Sequence, residues 1–326
     1  MILVTGGAGF IGSNLVAALA ARGEEIAVCD RMCGDERWRN LAKHEIADLV
    51  APEAMMAWLA RAPRIEAVFH LGANSSTTER DVESIAETNI RPSLALWNWC
   101  TETQTRLIYA SSAATYGDGS QGFGDDATPE ALARLRPLNA YGWSKHVVDR
   151  RVARSVARGK PRPPQWAALK FFNVYGPNEY HKGAMKSVIA QNFAPVRAGQ
   201  PVRLFKSGRP DYADGGQLRD FIYVRDCIDV MLWLFDRPGV SGLYNLGTGK
   251  ARSWLDLASA LFKATGREPA IAFIPMPDEI AAKYQYFTEA PMAKLRSAGY
   301  GAAFTTLEDG VADYVTRYLA ADDPYR

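Results

Sequence analysis

The chain has 326 residues, of which 48% are hydrophobic and 23% charged, a profile typical of a soluble globular protein. Its 38 basic and 36 acidic residues leave a formal charge of +2, which argues against a nucleic-acid or anionic-membrane partner. The cysteines lack paired metal-ligand spacing, so we expect reduced thiols, a cytoplasmic location and no metal site; they are Cys29, Cys33, Cys100 and Cys227. The N-terminus enters a strand at once, and no apolar run reaches the roughly eighteen residues of a membrane span.

A βαβ pattern with a glycine-rich turn begins the chain. The apolar run 1–5 leads into the turn 6–12, after which leucines and valines take up helical spacing, and 26–30 predicts a second strand. Glycines at such a turn let a pyrophosphate approach the backbone, and the helix N-terminus supplies amide donors. An ordinary βα turn is the structural alternative. In this setting the segment predicts a dinucleotide site formed by Gly6, Gly9, Phe10, Ile11, Gly12 and Asp30.

The residues after the second strand give conflicting signals about the cofactor. Asp30 suits the adenosine ribose hydroxyls of NAD, whereas Arg31 and Arg37 suit the 2′-phosphate of NADP. Both arginines could instead be solvated surface residues. We expect NADP, with NAD as the alternative.

Residues 67–73 predict another parallel strand, which opens into a small-residue loop at 74–78. Such a loop lets the backbone approach a ligand. His70 is alone on an apolar strand and is expected to be a satisfied core histidine rather than a catalyst. The candidate cofactor contacts in this segment are Leu71, Gly72, Ala73, Asn74 and Ser75.

The next strand, 107–110, ends in Ser111 and Ser112. A serine at the carboxyl end of a parallel strand faces the ligand crevice of a doubly wound sheet, which makes Ser112 a site candidate. A turn serine that bonds its own backbone is the alternative. Residues 118–136 predict a surface loop with a short helical piece.

The stretch Tyr141-Gly142-Trp143-Ser144-Lys145 places a tyrosine and a lysine four residues apart on a predicted helix. Their side chains project from one face, and an ammonium beside the phenol favours the phenolate, so Tyr141 is a candidate proton-transfer group. Pro137 is expected to help start this helix. The alternative is a half-buried tyrosine and a lysine that extends to solvent.

Beyond the strand 166–172 the βα rhythm loosens, and it returns only between residues 219 and 249. We therefore predict an α/β fold in two domains. A doubly wound parallel-sheet Rossmann domain covers 1–172 plus about 219–249. A smaller mixed α/β substrate-binding domain covers about 173–218 plus 250–326.

Taken together, TGGAGFIG, SSAATYG, YGWSK, FNVYGP, RDFIYV and YNLGTG resemble the extended short-chain dehydrogenase/reductase superfamily over nearly the whole chain. Within it, SSTTE at 75–79, FNVYGPNEYHKG at 172–183 and YQYFT at 284–288 resemble the ADP-L-glycero-D-manno-heptose 6-epimerase family. The resemblance implies epimerisation of an ADP-heptose at C6″ with a tightly bound nicotinamide cofactor, in lipopolysaccharide core heptose synthesis. It also implies a homo-oligomer such as a pentamer.

The same resemblance implies a role for each matching residue. Tyr141 matches the first base, Lys145 its partner, Ser112 the family serine and Lys182 the second base, which is also a cofactor contact. Asn89 and Val174 match cofactor contacts. The matching substrate positions are Ser112, Asn173, Ala184, Gln191, Phe205, Lys206, Ser207, Gly208, Arg219 and Tyr284. For Arg219 the expected ligand is the nucleotide diphosphate, and for Lys182 a solvated loop lysine is the alternative.

The chain departs from the family pattern at three places. Ala184 stands where the family commonly has a serine, Gln191 where it has a histidine, and the insert 212–216 lengthens the loop before Arg219. These departures bear on the sugar and nucleotide contacts rather than on the chemistry.

The same scaffold serves three other functions that are alternatives for this chain. A 4,6-dehydratase needs an acidic pair after the strand-end serine, where this chain has Ala113 and Ala114. A UDP-sugar 4-epimerase, which works with the tyrosine alone, is the runner-up. A non-catalytic NAD(P)-sensing protein is a remote alternative, because Ser112, Tyr141 and Lys145 are all intact.

Overall fold

The structure, a computed structural model, describes residues 1–32, 34–277 and 284–326, so Cys33 lies outside the described residues. The strands are β1 (Ile2–Thr5), β2 (Ile26–Cys29), β3 (Asp48–Val50), β4 (Ala67–His70), β5 (Arg106–Ser112), β6 (Trp166–Phe171), β7 (Asn173–Tyr175), β8 (Val202–Phe205), β9 (Leu218–Tyr223), β10 (Gly242–Leu246), β11 (Ala251–Ser253) and β12 (Ile271–Ile274).

The helices are α1 (Phe10–Ala21), α2 (Met55–Leu59), α3 (Val82–Ile85), α4 (Arg91–Glu102), α5 (Pro129–Arg134), α6 (Ala140–Ala157), α7 (Val188–Arg197), α8 (Val224–Phe235), α9 (Trp254–Thr265), α10 (Ala293–Ser297) and α11 (Leu307–Tyr314). Shorter 3₁₀ or π turns span Glu36–Asn40, Pro52–Ala54, Ala86–Ile90, Ala113–Tyr116, Tyr180–Met185 and Val315–Leu319.

Seven parallel strands form the main sheet, in the order β10-β6-β5-β4-β1-β2-β3. Its inner strands are largely apolar on both faces because helices cover both, whereas the edge strand β3 exposes Asp48 and Leu49. Alternate residues of β1 show this: Ile2 and Val4 belong to the same buried cluster as residues of α1 and α8, whereas Leu3 joins residues of α2, α4 and α6. This arrangement confirms the predicted doubly wound parallel sheet. Across the described ranges, no helix combines the length and apolar character needed to cross a membrane.

The strand order reverses between β1 and β4, and the two strands meet closely at their carboxyl ends. Gly6 has φ +68°, and a Cβ there would lie 2.6 Å from the backbone nitrogen of Gly72. Only glycine fits a left-handed position with a neighbouring backbone this near. In open α/β sheets the crevice at such a reversal is where ligands bind.

Two smaller sheets lie outside the main one. One contains β7, β9 and β11, and the other pairs β8 with β12. The predicted segment 219–249 therefore contributes β10 to the main sheet and most of β9 to a small one. Asp220 connects β9 of the small sheet to the end of β10 in the main sheet. Its carboxylate accepts hydrogen bonds from the amides of Thr248 and Gly249 after β10, at 2.7 and 2.9 Å. The division of the chain into two domains remains a prediction.

Helix α6 begins after Asn139, and not at Pro137 as expected. The Asn139 side chain accepts a hydrogen bond from the amide of Gly142 at 2.8 Å and so caps the first turn. Gly142 allows this turn to pack closely, since a Cβ there would lie 2.7 Å from the carbonyl oxygen of Ala114. The start of α6 is thereby held against the turn that follows β5.

Candidate active site

The glycine-rich turn fits a bound dinucleotide. Helix α1 starts after Gly9 without a side-chain cap, so the amides of its first turn can bind an anion. Gly12 lies so close to Gly6 that a Cβ would collide with its carbonyl oxygen. An open, uncapped helix start at the sheet reversal is the geometry that a pyrophosphate requires.

Asp30 and the neighbouring arginines form the far side of this turn. Asp30 accepts hydrogen bonds from the amides of Ala8 and Arg31, at 2.9 and 2.8 Å. Burial raises the pKa of Asp30, while these amides and the charge of Arg37 oppose that shift. Arg37 lies 3.7 Å from Asp30 and 2.7 Å from Asp35, whereas the more exposed Arg31 pairs with Glu53. The Arg37 guanidinium thus sits beside the expected ribose position, whereas Arg31 contacts Asp30 through its backbone amide.

The loop after β4 is fixed by Asn89, which is fully buried in the π turn Ala86–Ile90. Its side chain accepts from the amide of Asn74 at 2.8 Å and donates to the carbonyl of Asn74 at 2.9 Å. It also donates to the Ser144 hydroxyl at 3.0 Å. Asn89 therefore positions the candidate cofactor loop, the segment Leu71 to Ser75, relative to helix α6.

His70 is the satisfied core histidine that was expected. Its two ring nitrogens lie 2.7 Å from the Thr5 hydroxyl and 2.8 Å from the Ser93 hydroxyl. Burial lowers the pKa of His70 to about 3, and the Lys145 charge adds to the shift. The ring is therefore neutral at physiological pH.

Ser112 ends β5, and Tyr141 and Lys145 lie in the first turns of α6, which packs against the turn after that strand. Burial raises the pKa of Tyr141, hydrogen bonding with Ser112 opposes the shift, and the charge of Asp149 adds to it. Burial lowers the pKa of Lys145 to about 8, although Asp149 acts in the other direction. An acidic phenol was expected from the neighbouring lysine, whereas burial, the largest influence on the pKa of Tyr141, acts in the opposite direction.

Lys182 lies at the glycine-rich turn, with its ammonium 5.2 Å from the centre of the Phe10 ring. Burial lowers the pKa of Lys182, and the charge of Glu179 opposes this. Glu179 itself is fully buried and accepts hydrogen bonds from the Ser187 amide and hydroxyl, at 2.5 and 2.6 Å. This anchors the Lys182 segment to the start of α7. Asn173 and Val174, on the preceding strand β7, are both half-buried.

Arg219 is buried and lies between two aromatic rings. Its guanidinium is 5.0 Å from the Tyr284 ring and 5.9 Å from the Trp254 ring, and it donates to the carbonyl of Leu218 at 2.8 Å. Burial lowers the pKa of Arg219. Among the predicted contacts Phe205, Lys206, Ser207 and Gly208, the Gly208 amide donates to the Tyr286 hydroxyl at 3.0 Å, and the Tyr286 ring lies 5.3 Å from that of Tyr284.

Two predicted substrate positions form a separate exposed pair. Gln191 on α7 donates a hydrogen bond to the carbonyl of Ala184 at 3.1 Å and to that of Lys186 at 2.6 Å. Gln191 thus supports the loop that Ala184 belongs to.

Several buried polar residues near the site escaped the sequence analysis. The sequence did indicate that Asp149 and Lys170 could be important. Asp149 lies four residues after Lys145, and Lys170 is a single lysine in an apolar strand. Glu179 and Asp220 lay within recognised motifs, but their partners are distant in sequence.

Comparisons with known proteins agree with this geometry. Residues 2–247 match the NAD dependent epimerase/dehydratase family. Over 329 aligned residues the chain is 52% identical to the ADP-L-glycero-D-manno-heptose-6-epimerase of Nitratidesulfovibrio vulgaris strain Hildenborough, with 100% of both chains covered. The structure is similar to Helicobacter pylori ADP-L-glycero-D-manno-heptose-6-epimerase, with a TM-score of 0.77 and 27% identity, covering 97% of this chain and 95% of that one. It is also similar to Thermus thermophilus UDP-glucose 4-epimerase in complex with NAD, with a TM-score of 0.72, 26% identity and 96% and 97% coverage.

Proposed function

This chain belongs to the NAD dependent epimerase/dehydratase family, and from that premise we propose that it epimerises ADP-D-glycero-D-manno-heptose at C6″ to the L-glycero isomer. The observation that supports this choice of substrate is the 52% identity over the full length of the N. vulgaris relative. The chain is an isomerase that works with a nicotinamide cofactor, which supplies a hydride acceptor and donor when bound. We assign the product to the synthesis of lipopolysaccharide core heptose.

Tyr141 serves as one base in this reaction. An unactivated carbinol carbon changes configuration only if hydride and hydroxyl proton leave and the hydride returns to the opposite face. Tyr141 accepts or returns the hydroxyl proton, and Ser112 hydrogen-bonds the phenol. The ammonium of Lys145, four residues further along the same helix, favours the phenolate in this proposal. Because burial raises the pKa of Tyr141, a higher pH is needed to form the phenolate that acts as the base.

Lys182 serves as the second base. The sugar must present C6″ in two opposed orientations, so that a proton acceptor is needed for each. Lys182 lies against Phe10 in the glycine-rich turn, and burial lowers the pKa of its ammonium, which increases the neutral form that can accept a proton.

Arg219 binds the substrate diphosphate in this proposal. A buried guanidinium between Tyr284 and Trp254, with a backbone carbonyl as its hydrogen-bond acceptor, retains donors for an anionic ligand. The other substrate contacts proposed are the residues assigned above from the resemblance.

The finer features of the proposal rest on single observations. NADP is favoured over NAD because the Arg37 guanidinium lies 3.7 Å from the Asp30 carboxylate and Arg31 directly follows Asp30 in the chain. A cytoplasmic location is supported by the free, buried thiols of Cys29, Cys100 and Cys227. A homo-oligomer and the division into a Rossmann and a substrate-binding domain follow from the resemblance.

The two-base assignment is tested with Lys182→Met, using Lys186→Met as a nearby loop-lysine control. Each C6″ isomer is mixed separately with the protein, and reduction of the bound cofactor is followed in a single turnover. We expect Lys182→Met to lose epimerisation and to oxidise only the isomer served by Tyr141, while the control behaves as the wild type. Normal epimerisation by Lys182→Met, or a preference of the wild type for UDP-galactose, would contradict the proposal.

A further inference from the structure

A buried ion pair lies beneath the catalytic helix. Asp149 on α6 and Lys170 on β6 are both completely inaccessible, and their Oδ2 and Nζ atoms are 3.2 Å apart. We propose that this pair is a positioning element of the proposed active site. Both residues fix the segment that carries Ser112, Lys170 balances the charge of Asp149, and the Asp149 carboxylate places a negative charge on the face of α6 that carries Tyr141 and Lys145. The inference rests on the proposed function, since it assigns those two residues to proton transfer.

The pair is joined to Ser112 from both sides along the chain. Ser111, the preceding residue, donates its hydroxyl to Asp149 at 2.6 Å. Lys170 donates to the hydroxyl of Thr115 at 2.5 Å, and Thr115 in turn donates to the carbonyl of Ser112 at 2.8 Å. The ion pair therefore fixes the backbone from which the Ser112 side chain projects.

The pair is also aligned with the catalytic face of α6. Asp149 follows Lys145 by four residues and Tyr141 by eight, so that all three project from one side of the helix. The negative charge of Asp149 raises the pKa of both residues, although burial is the largest influence on each. Asp149 thus acts on both groups through space rather than by contact with the substrate.

The other titratable groups around the pair are largely neutral. Burial raises the pKa of Tyr109 and Tyr116 well above the usual value and lowers the pKa of His146 to about 4 and that of His70 to about 3. Among charged groups, Asp125 acts on Lys170, while Arg136 and Arg150 act on His146. Asp149 is therefore the carboxylate that acts on the Tyr141 and Lys145 face.

A stabilising role alone does not account for this arrangement. Removing two charges from water carries a desolvation cost that their attraction often fails to recover, and apolar replacements are frequently tolerated. The pair additionally carries a hydrogen-bond network that ends at the catalytic serine.

The test is the pH dependence of kcat/KM for Asp149→Asn and Lys170→Met. Removing the carboxylate should shift the acidic limb to lower pH, and removing the ammonium should shift it to higher pH, each on the order of half a pH unit. A purely structural pair would not move the profile in opposite directions. Asp226→Asn is the control, because Asp226 is a buried carboxylate on α8 that binds Thr305.

A second readout is independent of turnover. The phenolate absorbance of Tyr141, obtained in each background by subtracting the matching Tyr141→Phe protein, should shift with the same signs. If a single variant does not fold, the apolar double variant Asp149→Leu/Lys170→Met should still shift both readouts to lower pH, by less than Asp149→Asn. Unmoved titrations, or shifts of one sign in both single variants, would overturn the inference. Failure of the wild type to act on ADP-heptose would instead overturn the proposed function. The absorbance titration would still decide whether the Asp149–Lys170 pair acts on Tyr141.

Discussion

Replacing Tyr141 by Phe removes one oxygen from the proposed site and leaves its surroundings in place. The cap of α6 by Asn139 and the contact of Gly142 with Ala114 do not involve the phenol. We therefore expect little change in the free energy of unfolding. Turnover should fall by about 100- to 10,000-fold, the usual contribution of a general acid or base. That range corresponds to about 2.7–5.4 kcal/mol in transition-state stabilisation.

The pH dependence gives this prediction a sign. Because burial raises the pKa of Tyr141, wild-type turnover should increase as the pH rises towards that pKa, and Tyr141→Phe should lose this increase. The assay resolves the two C6″ isomers by nuclear magnetic resonance and checks cofactor retention by absorbance. Tyr244→Phe is the matched control, since its hydroxyl bonds the carbonyl of Ser241 at the amino end of β10, whereas Ser112 lies at the carboxyl end of β5. Near-normal turnover by Tyr141→Phe, with cofactor bound, would refute the assignment and make Tyr141 a packing residue.

Three further changes test the surroundings of the site. Arg31→Ala should raise the Kd of the apoprotein for NADP more than for NAD, because only NADP carries a 2′-phosphate; equal losses in a fluorescence titration would count against NADP. Asn89→Leu should lower the free energy of unfolding by on the order of 3 kcal/mol in urea, since the substitution leaves the half-buried backbone amide and carbonyl of Asn74 without these partners; an unchanged midpoint would contradict this. The unfolding free energy should fall as the pH drops from 6.5 towards 3, because the pKa of His70 is depressed to about 3 in the folded state, and His70→Gln should show a shallower slope in denaturant titrations than the wild type.

The sheet was predictable because its signals are local. Most strands of the main sheet are apolar runs bounded by small or polar residues, whereas β3, with exposed Asp48 and Leu49, has no such run and was not predicted. Gly6 follows β1 and Gly72 lies beyond β4, where the close backbone contact requires glycine. The Tyr141 and Lys145 spacing likewise depends only on helical geometry. The start of α6 was also marked locally, because Asn139 is a residue type typical of helix N-caps, although Pro137 was the residue expected to help start the helix.

What escaped prediction depends on tertiary neighbours. Asp149 and Lys170 meet only because α6 packs on the face of the sheet where β5 and β6 are adjacent. Burial of Tyr141, which reverses the pKa shift expected from its lysine, is likewise a property of the assembled site. Asp220 joins two recognised motifs through partners 28 and 29 residues away. Residue spacing along the chain does not predict these contacts.

The most direct test of the proposed activity is incubation of the purified wild-type protein with ADP-D-glycero-D-manno-heptose, and separately with UDP-galactose, followed by nuclear magnetic resonance of the sugar products. The account predicts that the heptose converges on a mixture of both C6″ isomers while UDP-galactose stays unchanged. Unchanged heptose together with conversion of UDP-galactose to UDP-glucose would contradict it.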